Sequence, residues 1–537
     1  MLFQFLNIIE LFRWKGVQRM AKQRFIRGTF VLSAAAFINR ILGFVSGMFL
    51  ARYLGAEGIG LMMMAQPLVP LLITITELGL PVAISKFVAE ADVQGDHLKI
   101  KRILFVSVLV TGTLSVTLTT VSLFGSKWIA SLLLTDQRAY YSMLAITPIA
   151  PIVAVSAVLK GYFRGKQRMT TIAASDILDN TLQLACVLAL IHLLLPYGLP
   201  YAAAGAMFAA VVGEATQLTF LSVSYHVLRE KGVIRESMAD RLRHFKHILK
   251  ELLQIGLPTT GHGIVHSLYG AFQPLLITKS LALAGVGTAM ATQQFGMLAG
   301  YAFPLLFLPN FVTQSLSTAL IPAISEANAN RNSRLMHERM EQAMRVALLI
   351  GAPSTVILFE WATPLTTVIY NTPEVGPLLK VLAPMFFLSY FDAPLTAILL
   401  GLGKAGASMW NYIISTVFKS LALFWLGSEF GITGVVYGLG FGIVLLTFLN
   451  FMSISSTIGF YIDIRKYVKV AICMLIMAIT GENLYTILMH AGLPMLWSML
   501  WSMSIALAVY FGALSISKTI RFRHIRYLAL TIGGRWR

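Results

Sequence analysis

Apolar residues in this chain come in long unbroken runs, not in short alternating stretches. Segments of roughly 20 to 25 predominantly apolar residues recur from Gly28 to Ser515, each long enough to cross a ~30 Å hydrocarbon core as a helix. The pattern predicts spans at 28–50, 59–84, 103–124, 141–160, 171–195, 201–225, 251–278, 287–323, 346–369, 377–401, 408–427, 432–456, 470–489 and 493–515. That is an all-α integral membrane protein of about fourteen transmembrane helices. The gaps, numbered alternately inside and outside from an inside start, sort the cations. Inner gaps and tails hold 35 of the 42 Lys and Arg residues. Outer gaps and helix ends hold Arg52, Lys127, Arg138, Lys279 and Lys380, and Arg40 and Lys419 fall within spans. Retained basic residues mark the cytoplasmic side, so both termini are expected there.

Prolines break the second and eighth spans at Pro67, Pro70, Pro304 and Pro309. Each removes a backbone donor, which is tolerable in a membrane only where protein or a water-filled cavity satisfies the freed carbonyls. The eighth segment is too long for one straight crossing and is expected to bend. Leu80-Pro-Val-Ala-Ile-Ser85 ends the second span much as Leu320-Ile-Pro-Ala-Ile-Ser325 ends the eighth. Gly161-Tyr-Phe-Arg-Gly-Lys166 after the fourth span echoes Gly401-Leu-Gly-Lys404 after the tenth. Pro81 and Pro322 are 241 residues apart and Lys166 and Lys404 are 238 apart, so the matches keep one register. Six spans separate the copies. Two parallel six-helix lobes are therefore expected, with two extra C-terminal helices. The expected division is a basic N-terminal segment 1–27, an N-lobe 28–225, a basic cytoplasmic linker 226–250, a C-lobe 251–456, two helices within 457–515 and a basic tail 516–537. Met20 opens a short basic lead into the first span, and residues 1–19 read either as an interfacial helix or as a start-site extension.

Composition narrows the class. With 57% hydrophobic and 12% charged residues over 537 positions and a mean hydropathy of +0.75, the chain is a multi-pass cell-membrane protein, not a set of soluble domains. The +19 charge does not call for nucleic acid, because most of it lies in inner loops facing anionic membrane lipids. Cys186 and Cys473 both sit in apolar spans, which argues against a structural disulfide or a cysteine metal site.

Ionisable residues inside spans are costly and tend to mark function. Asn39 and Arg40 lie near the middle of the first span and Arg52 near its outer end. A guanidinium stays charged and grips phosphate oxygens with two donors, so Arg40, Arg52 and Asn39 are candidate partners for an anionic headgroup. The structural alternatives are an Arg40–Glu77 ion pair and a snorkelling Arg52. On the fifth span Asp176, Asp179, Asn180 and Gln183 share one helix face, which must look into a cavity or a protein interface. Glu214 on the sixth span can face them. With Glu77, this group suits coupling to a Na+ or H+ gradient or balancing of the arginines. Glu360, Asp392 and Lys419 are the corresponding charges of the second half, and Lys419 with Asp392 is expected as a cross-helix pair, structural as readily as functional. His262 and His266 have metal-ligand spacing without a third ligand, so no metal and no cofactor are expected. No Walker A motif, nucleophile elbow or HExxH is present, nor a loop large enough for a catalytic domain, so the chain is not expected to be an enzyme.

Phe37-Ile-Asn-Arg-Ile-Leu-Gly-Phe44 with Ala51-Arg-Tyr-Leu-Gly-Ala56 resembles the first helix of the multidrug/oligosaccharidyl-lipid/polysaccharide exporters. The stage V sporulation protein B and polysaccharide-flippase group is the nearer likeness. Gly79-Leu-Pro-Val-Ala-Ile-Ser-Lys86, Leu159-Lys-Gly-Tyr-Phe-Arg-Gly-Lys-Gln167, Tyr201-Ala-Ala-Ala-Gly-Ala-Met207 and Ser315-Leu-Ser-Thr-Ala-Leu-Ile-Pro-Ala-Ile-Ser-Glu326 look like that group, and the similarity covers nearly everything after Met20. The resemblance implies two lobes forming a V that opens alternately to either side. It also implies an undecaprenyl-pyrophosphate type glycan lipid as cargo and a role in spore cortex peptidoglycan. Arg40 matches a cavity arginine of the lipid II flippase branch. Ser46 and Gly300-Tyr-Ala-Phe-Pro304 stand where that branch carries further arginines, which implies a less basic anion site. The expected function is a lipid-linked peptidoglycan or polysaccharide precursor flippase, and a monomer is expected. The rivals are a drug or organic-cation antiporter of the same superfamily and a membrane enzyme or scaffold in envelope assembly.

Overall fold

The computed structural model describes residues 2–228, 238–459 and 464–517, and among them every regular element is a helix. Apolar runs in lipid must satisfy their backbone groups internally, which a helix does within one segment. Among the described residues, ten helices are long and apolar enough to cross a membrane, or eleven if the bent pair Thr288–Phe307 and Asn310–Ala329 is one span. Two of the ten are of double length: Ala34–Glu77 with 44 residues and Ala405–Ile458 with 54. At 1.5 Å per residue these run to about 66 Å and 81 Å, twice a hydrocarbon core. Each turns at a glycine that leaves helical geometry, Gly55 at φ 66° and Gly431 at φ 61°. Positive φ is cheap for glycine alone, so these two residues mark where each long helix kinks.

The proline-rich segments break as their sequence predicts. The second span divides at Gln66–Pro67 and again where Leu78 and Gly79 both take left-handed conformations. The eighth carries a π-helical stretch, Met297–Ala302, and bends by 56° between Phe307 and Asn310, at Pro309.

The chain forms two compact units, Met1–Leu275 and Leu276–Arg537. In the first, Leu80, Ile84 and Val88 pack with Val158, Leu159, Phe163, Ile248 and Leu252. Ile248 and Leu252 belong to the Met238–Leu283 helix, so the basic segment expected as a linker over 226–250 runs into that helix at its C-terminal end; its residues 229–237 lie outside the described part. The tail beyond Ser517 and residues 460–463 also lie outside it, and side chains before Val31 are not described. In the second unit Leu320, Ile324, Met340, Ala347, Ile398 and Leu399 form the centre of the core.

The internal repeat is a repeat of contacts. A Cβ on Gly161 would stand 3.0 Å from the Pro81 carbonyl oxygen and 3.2 Å from Ile84. A Cβ on Gly401 would stand 3.0 Å from the Ile321 carbonyl oxygen and 2.8 Å from Ile324. All three correspondences have an offset of 240 residues. In each unit, then, the helix after the proline block is pressed against the same glycine.

The last two helices, Ile464–His490 and Met495–Ile516, pack on each other and on the rest of the second unit. Trp361 is buried, its ring lies against Gly481, and its Nε1–H donates to Ser502 Oγ at 2.9 Å. Nearer the basic end of Ile464–His490, Lys466 Nζ meets Glu341 Oε1 at 2.5 Å, and Arg345 meets the same oxygen at 2.8 Å.

Candidate functional site

The polar stripe predicted on the fifth span lies on the Met169–Leu194 helix, which pairs with Leu199–Leu228. Small residues let the two backbones close up. Gly205 leaves room for Leu190 and Leu194, and Gly213 for Asp179 and Gln183, whose side chains would meet any Cβ there. Asp176 Oδ1 accepts from Gln217 Nε2 at 2.8 Å and pairs with Lys160 Nζ at 3.0 Å. Asn180 turns its amide onto the Asp176 carbonyl at 2.8 Å. Lys160 comes from a further helix, Ile149–Gly165, and Glu77 ends a fourth, Leu68–Glu77.

Lys160 acts electrostatically on Glu77, Asp179 and Glu214, and Glu214 acts in turn on Glu77 and Asp179. Lys160 thus pairs directly with Asp176 and acts at longer range on three further carboxylates. Glu214 Oε2 and Gln217 Oε1 are buried without a hydrogen-bond partner, although Gln217 is fully buried. A buried acceptor left open costs free energy, so such atoms in a native site ask for a proton, a cation, a water or a ligand donor. The chemistry of the group is that of an acceptor-rich, cation- or proton-receiving site.

Arg40 and Arg52 are exposed side chains on the Leu2–Ala65 helix. Twelve residues separate them by about 18 Å along the axis. Asn39 beside Arg40 is half-buried, and its Oδ1 is another buried acceptor without a partner.

In the second unit, Asp392 and Lys419 act on each other electrostatically. Amides complete the arrangement. Asn450 Nδ2 donates to Asp392 Oδ1 at 3.2 Å, and Asn411 Nδ2 donates to Asn450 Oδ1 at 3.0 Å and to Ser453 Oγ at 2.9 Å. The Lys419 stem lies over Gly442, where a Cβ would collide with it. Among the described residues no three His, Cys, Asp or Glu side chains gather as metal ligands, and both cysteines are free.

Residues 25–328, more than half of the chain, match the polysaccharide biosynthesis protein family. The chain belongs to that family. Residues 280–426 also match the MatE family. Stage V sporulation protein B of Bacillus subtilis (strain 168) is 44% identical over 83% of this chain and 87% of its own length. Lipid II flippase MurJ of the same organism is 24% identical over 85% and 86%. Among solved structures, lipid II flippase MurJ in an inward closed conformation superposes with a TM-score of 0.66 at 16% identity, covering 91% of this chain and 98% of that one. That likeness shows that the two chains share a fold. The chain is a multi-pass cell-membrane protein, and its relatives of named activity are flippases and transporters, not enzymes.

Within this family member, sequence reading located the acidic residues but missed two kinds of partner. Lys160 was grouped with the basic inner ends of the helices. Its helix runs on to Gly165, with Lys166 as the cap, so Lys160 lies about 9 Å inside the end. That depth was the available signal. Asn411 and Asn450 are uncharged and escape a search for intramembrane charge, yet both are buried and one holds Asp392.

Proposed function

We propose that the chain is an alternating-access flippase. It moves a lipid-linked precursor of undecaprenyl-pyrophosphate type, for peptidoglycan or polysaccharide, across the cell membrane in service of spore cortex synthesis. The observation that carries this reading is an exposed arginine, Arg40, well inside an apolar span of a chain 44% identical to stage V sporulation protein B. A permanently charged fork in that position suits the phosphates of a headgroup in transit. Arg40 and Asn39 form the principal anion station in this proposal and Arg52 a second, outward one. The lipid tail stays in the bilayer throughout.

The proposed topology has fourteen spans and cytoplasmic termini, with lobes 28–225 and 251–456. It is supported by the cation asymmetry and by the two double-length helices that turn at Gly55 and Gly431. Driving force enters through a Na+ or H+ gradient acting on Glu77, Asp176, Asp179, Gln183 and Glu214, or through the membrane potential. Asp392 and Lys419 serve as the fixed charge pair of the second lobe. The protein works as a monomer, with anionic lipids gathered at its inner basic loops.

A second reading draws on the four carboxylates around Lys160 and the MatE match: an organic-cation antiporter. Translocation in proteoliposomes separates the two. A fluorescent undecaprenyl-pyrophosphoryl sugar is followed by its accessibility to an external quencher, for wild type and Arg40→Ala. Wild-type translocation above empty liposomes, lost in Arg40→Ala at equal protein level, is the expected result. No wild-type activity across several cargos and imposed ion gradients favours the antiporter or a scaffold. Activity indifferent to Arg40→Ala keeps the flippase and removes its anion station.

A further inference from the structure

Two broken helices of the second unit meet at their breaks. The bent pair Thr288–Phe307 and Asn310–Ala329 turns at Pro309, and Val375–Phe386 gives way to Ser389–Gly401 after Phe387 and Leu388. On one side of the second break, the Phe386 ring lies 5.9 Å from that of Phe303 and 5.3 Å from that of Phe307. On the other side, Tyr390 is fully buried and donates its hydroxyl to the Leu306 carbonyl at 3.1 Å. Gly351 makes room for the ring, which a Cβ there would meet at 2.8 Å. In an unbroken helix the Leu306 carbonyl would take the N–H of Asn310. Across the bend the backbone bonds run over three residues: Leu308 donates to Leu305 at 3.3 Å, Phe311 to Leu308 at 3.5 Å and Val312 to Pro309 at 3.2 Å. Asn310 Oδ1, four residues on from Leu306, is a buried acceptor without a partner.

We propose that Tyr390 and Asn310 form a two-state hinge in the second unit, in which the Tyr390 hydroxyl passes from the Leu306 carbonyl in the bent helix to Asn310 Oδ1 in a straighter one. Asn310 serves both ends of the exchange. Its N–H takes over the Leu306 carbonyl as the helical ladder closes, and its side-chain oxygen receives the displaced hydroxyl. The bent state leaves Asn310 Oδ1 open, which costs free energy in a buried place. The straighter state meets that acceptor but parts Phe307 from Phe386. Opposed terms of this kind make a packed element bistable and not continuously deformable. The device belongs to the second unit alone. Tyr390 is the second residue of Ser389–Gly401, and the 240 residues that relate Gly401 to Gly161 lead back from it to Ala150, the second residue of Ile149–Gly165. Alanine has no hydroxyl to exchange. The hinge rests on these contacts and not on the identity of the cargo.

The test uses the full chain in phosphatidylcholine vesicles, with Cys186→Ala and Cys473→Ala and with nitroxide labels on Met290→Cys and Glu326→Cys, one exposed position on each arm of the bent helix. Arms of about 28 Å and 26 Å meeting at the 56° bend set these positions about 48 Å apart, against about 54 Å in a straight helix. Pulsed electron spin resonance reads the distance distribution. A main peak at the bent distance with a longer shoulder is expected without further change. Tyr390→Phe keeps the ring and strands the Leu306 carbonyl in the bent state, so weight moves to the longer distance. Asn310→Ala removes the alternative acceptor, so the shoulder is lost and the bent peak narrows. Loss of packing alone would not shift the two variants in opposite directions. A distribution unchanged by Tyr390→Phe overturns the proposal. So does Asn310→Ala without effect, or a shift of both variants the same way.

Discussion

Replacing Lys160 with Met keeps the length of the stem and removes the ammonium that Glu77, Asp176, Asp179 and Glu214 share. The direct pair, Lys160 Nζ to Asp176 Oδ1, is 3.0 Å long, with the two side chains 27% and 30% exposed. At an effective dielectric of ~20, unit charges at that distance attract by about 5 kcal/mol before desolvation and side-chain ordering are charged against them. Partial exposure leaves a net coupling of about 1–3 kcal/mol, between that of surface pairs and that of breaking a buried one. Lys160→Met should cost more than the pair itself, because it strands three further carboxylates. Asp176→Asn is the matching change, since its amide oxygen still accepts from Gln217. Equilibrium unfolding of the two single variants and the double variant in mixed micelles gives the coupling by a double-mutant cycle. The expected sign is rescue: Asp176→Asn is less harmful, or stabilising, in the Lys160→Met background. Costs that add within about 0.5 kcal/mol would show that Lys160 and Asp176 act independently, and the shared-cation description of the site would fall.

Two further changes probe the frame that holds the site. Gly161→Ala and Gly401→Ala force the same clash in each unit and should each destabilise by about 1–3 kcal/mol, Gly401→Ala the more because its neighbour is nearer, as read from thermal unfolding in detergent. Ser502→Ala leaves the buried Trp361 Nε1–H without an acceptor and should cost about 1–3 kcal/mol, with faster proteolytic release of Ile464–His490 and Met495–Ile516; an unchanged cleavage rate would mean that the hydrogen bond does not hold these helices.

Much of the fold was legible because a membrane permits few solutions. Apolar run length set the helices, and proline set the breaks at Pro67 and Pro309. The helical course of 238–250 was readable too, since Ile248 and Leu252 stand four apart among basic residues, but charge density there invited a loop assignment. Site partners were harder to see. A carboxylate inside a span announces itself by cost, whereas Lys160 near a helix end resembles every other inner-loop lysine. Buried amides such as Asn411 and Asn450 carry no charge to betray them, and which acid they serve depends on how helices pair across long stretches of chain.

The two units share a steric frame and differ in the charge they hang on it. Counted on by the 240 residues that bring Gly161 to Gly401, Asp179 falls on Lys419. Each of these side chains lies against a glycine of the next helical arm, Gly213 in the first unit and Gly442 in the second. Those two glycines are 229 residues apart, outside the 240-residue register, so the two contacts are alike in kind and not copies of one position. In the second unit Lys419 meets one carboxylate, Asp392, itself held by the Asn450 amide, so its charges are matched one to one. In the first unit Asp179 joins Glu77, Asp176 and Glu214 around the single ammonium of Lys160, and buried acceptors on Glu214 and Gln217 remain open. An ion or proton that enters and leaves is worth most where charge is unbalanced and acceptors are unmet. On that physical ground we propose that a coupling ion, where one is used, acts in the first unit, with Lys419 as the fixed counter-ion of the second.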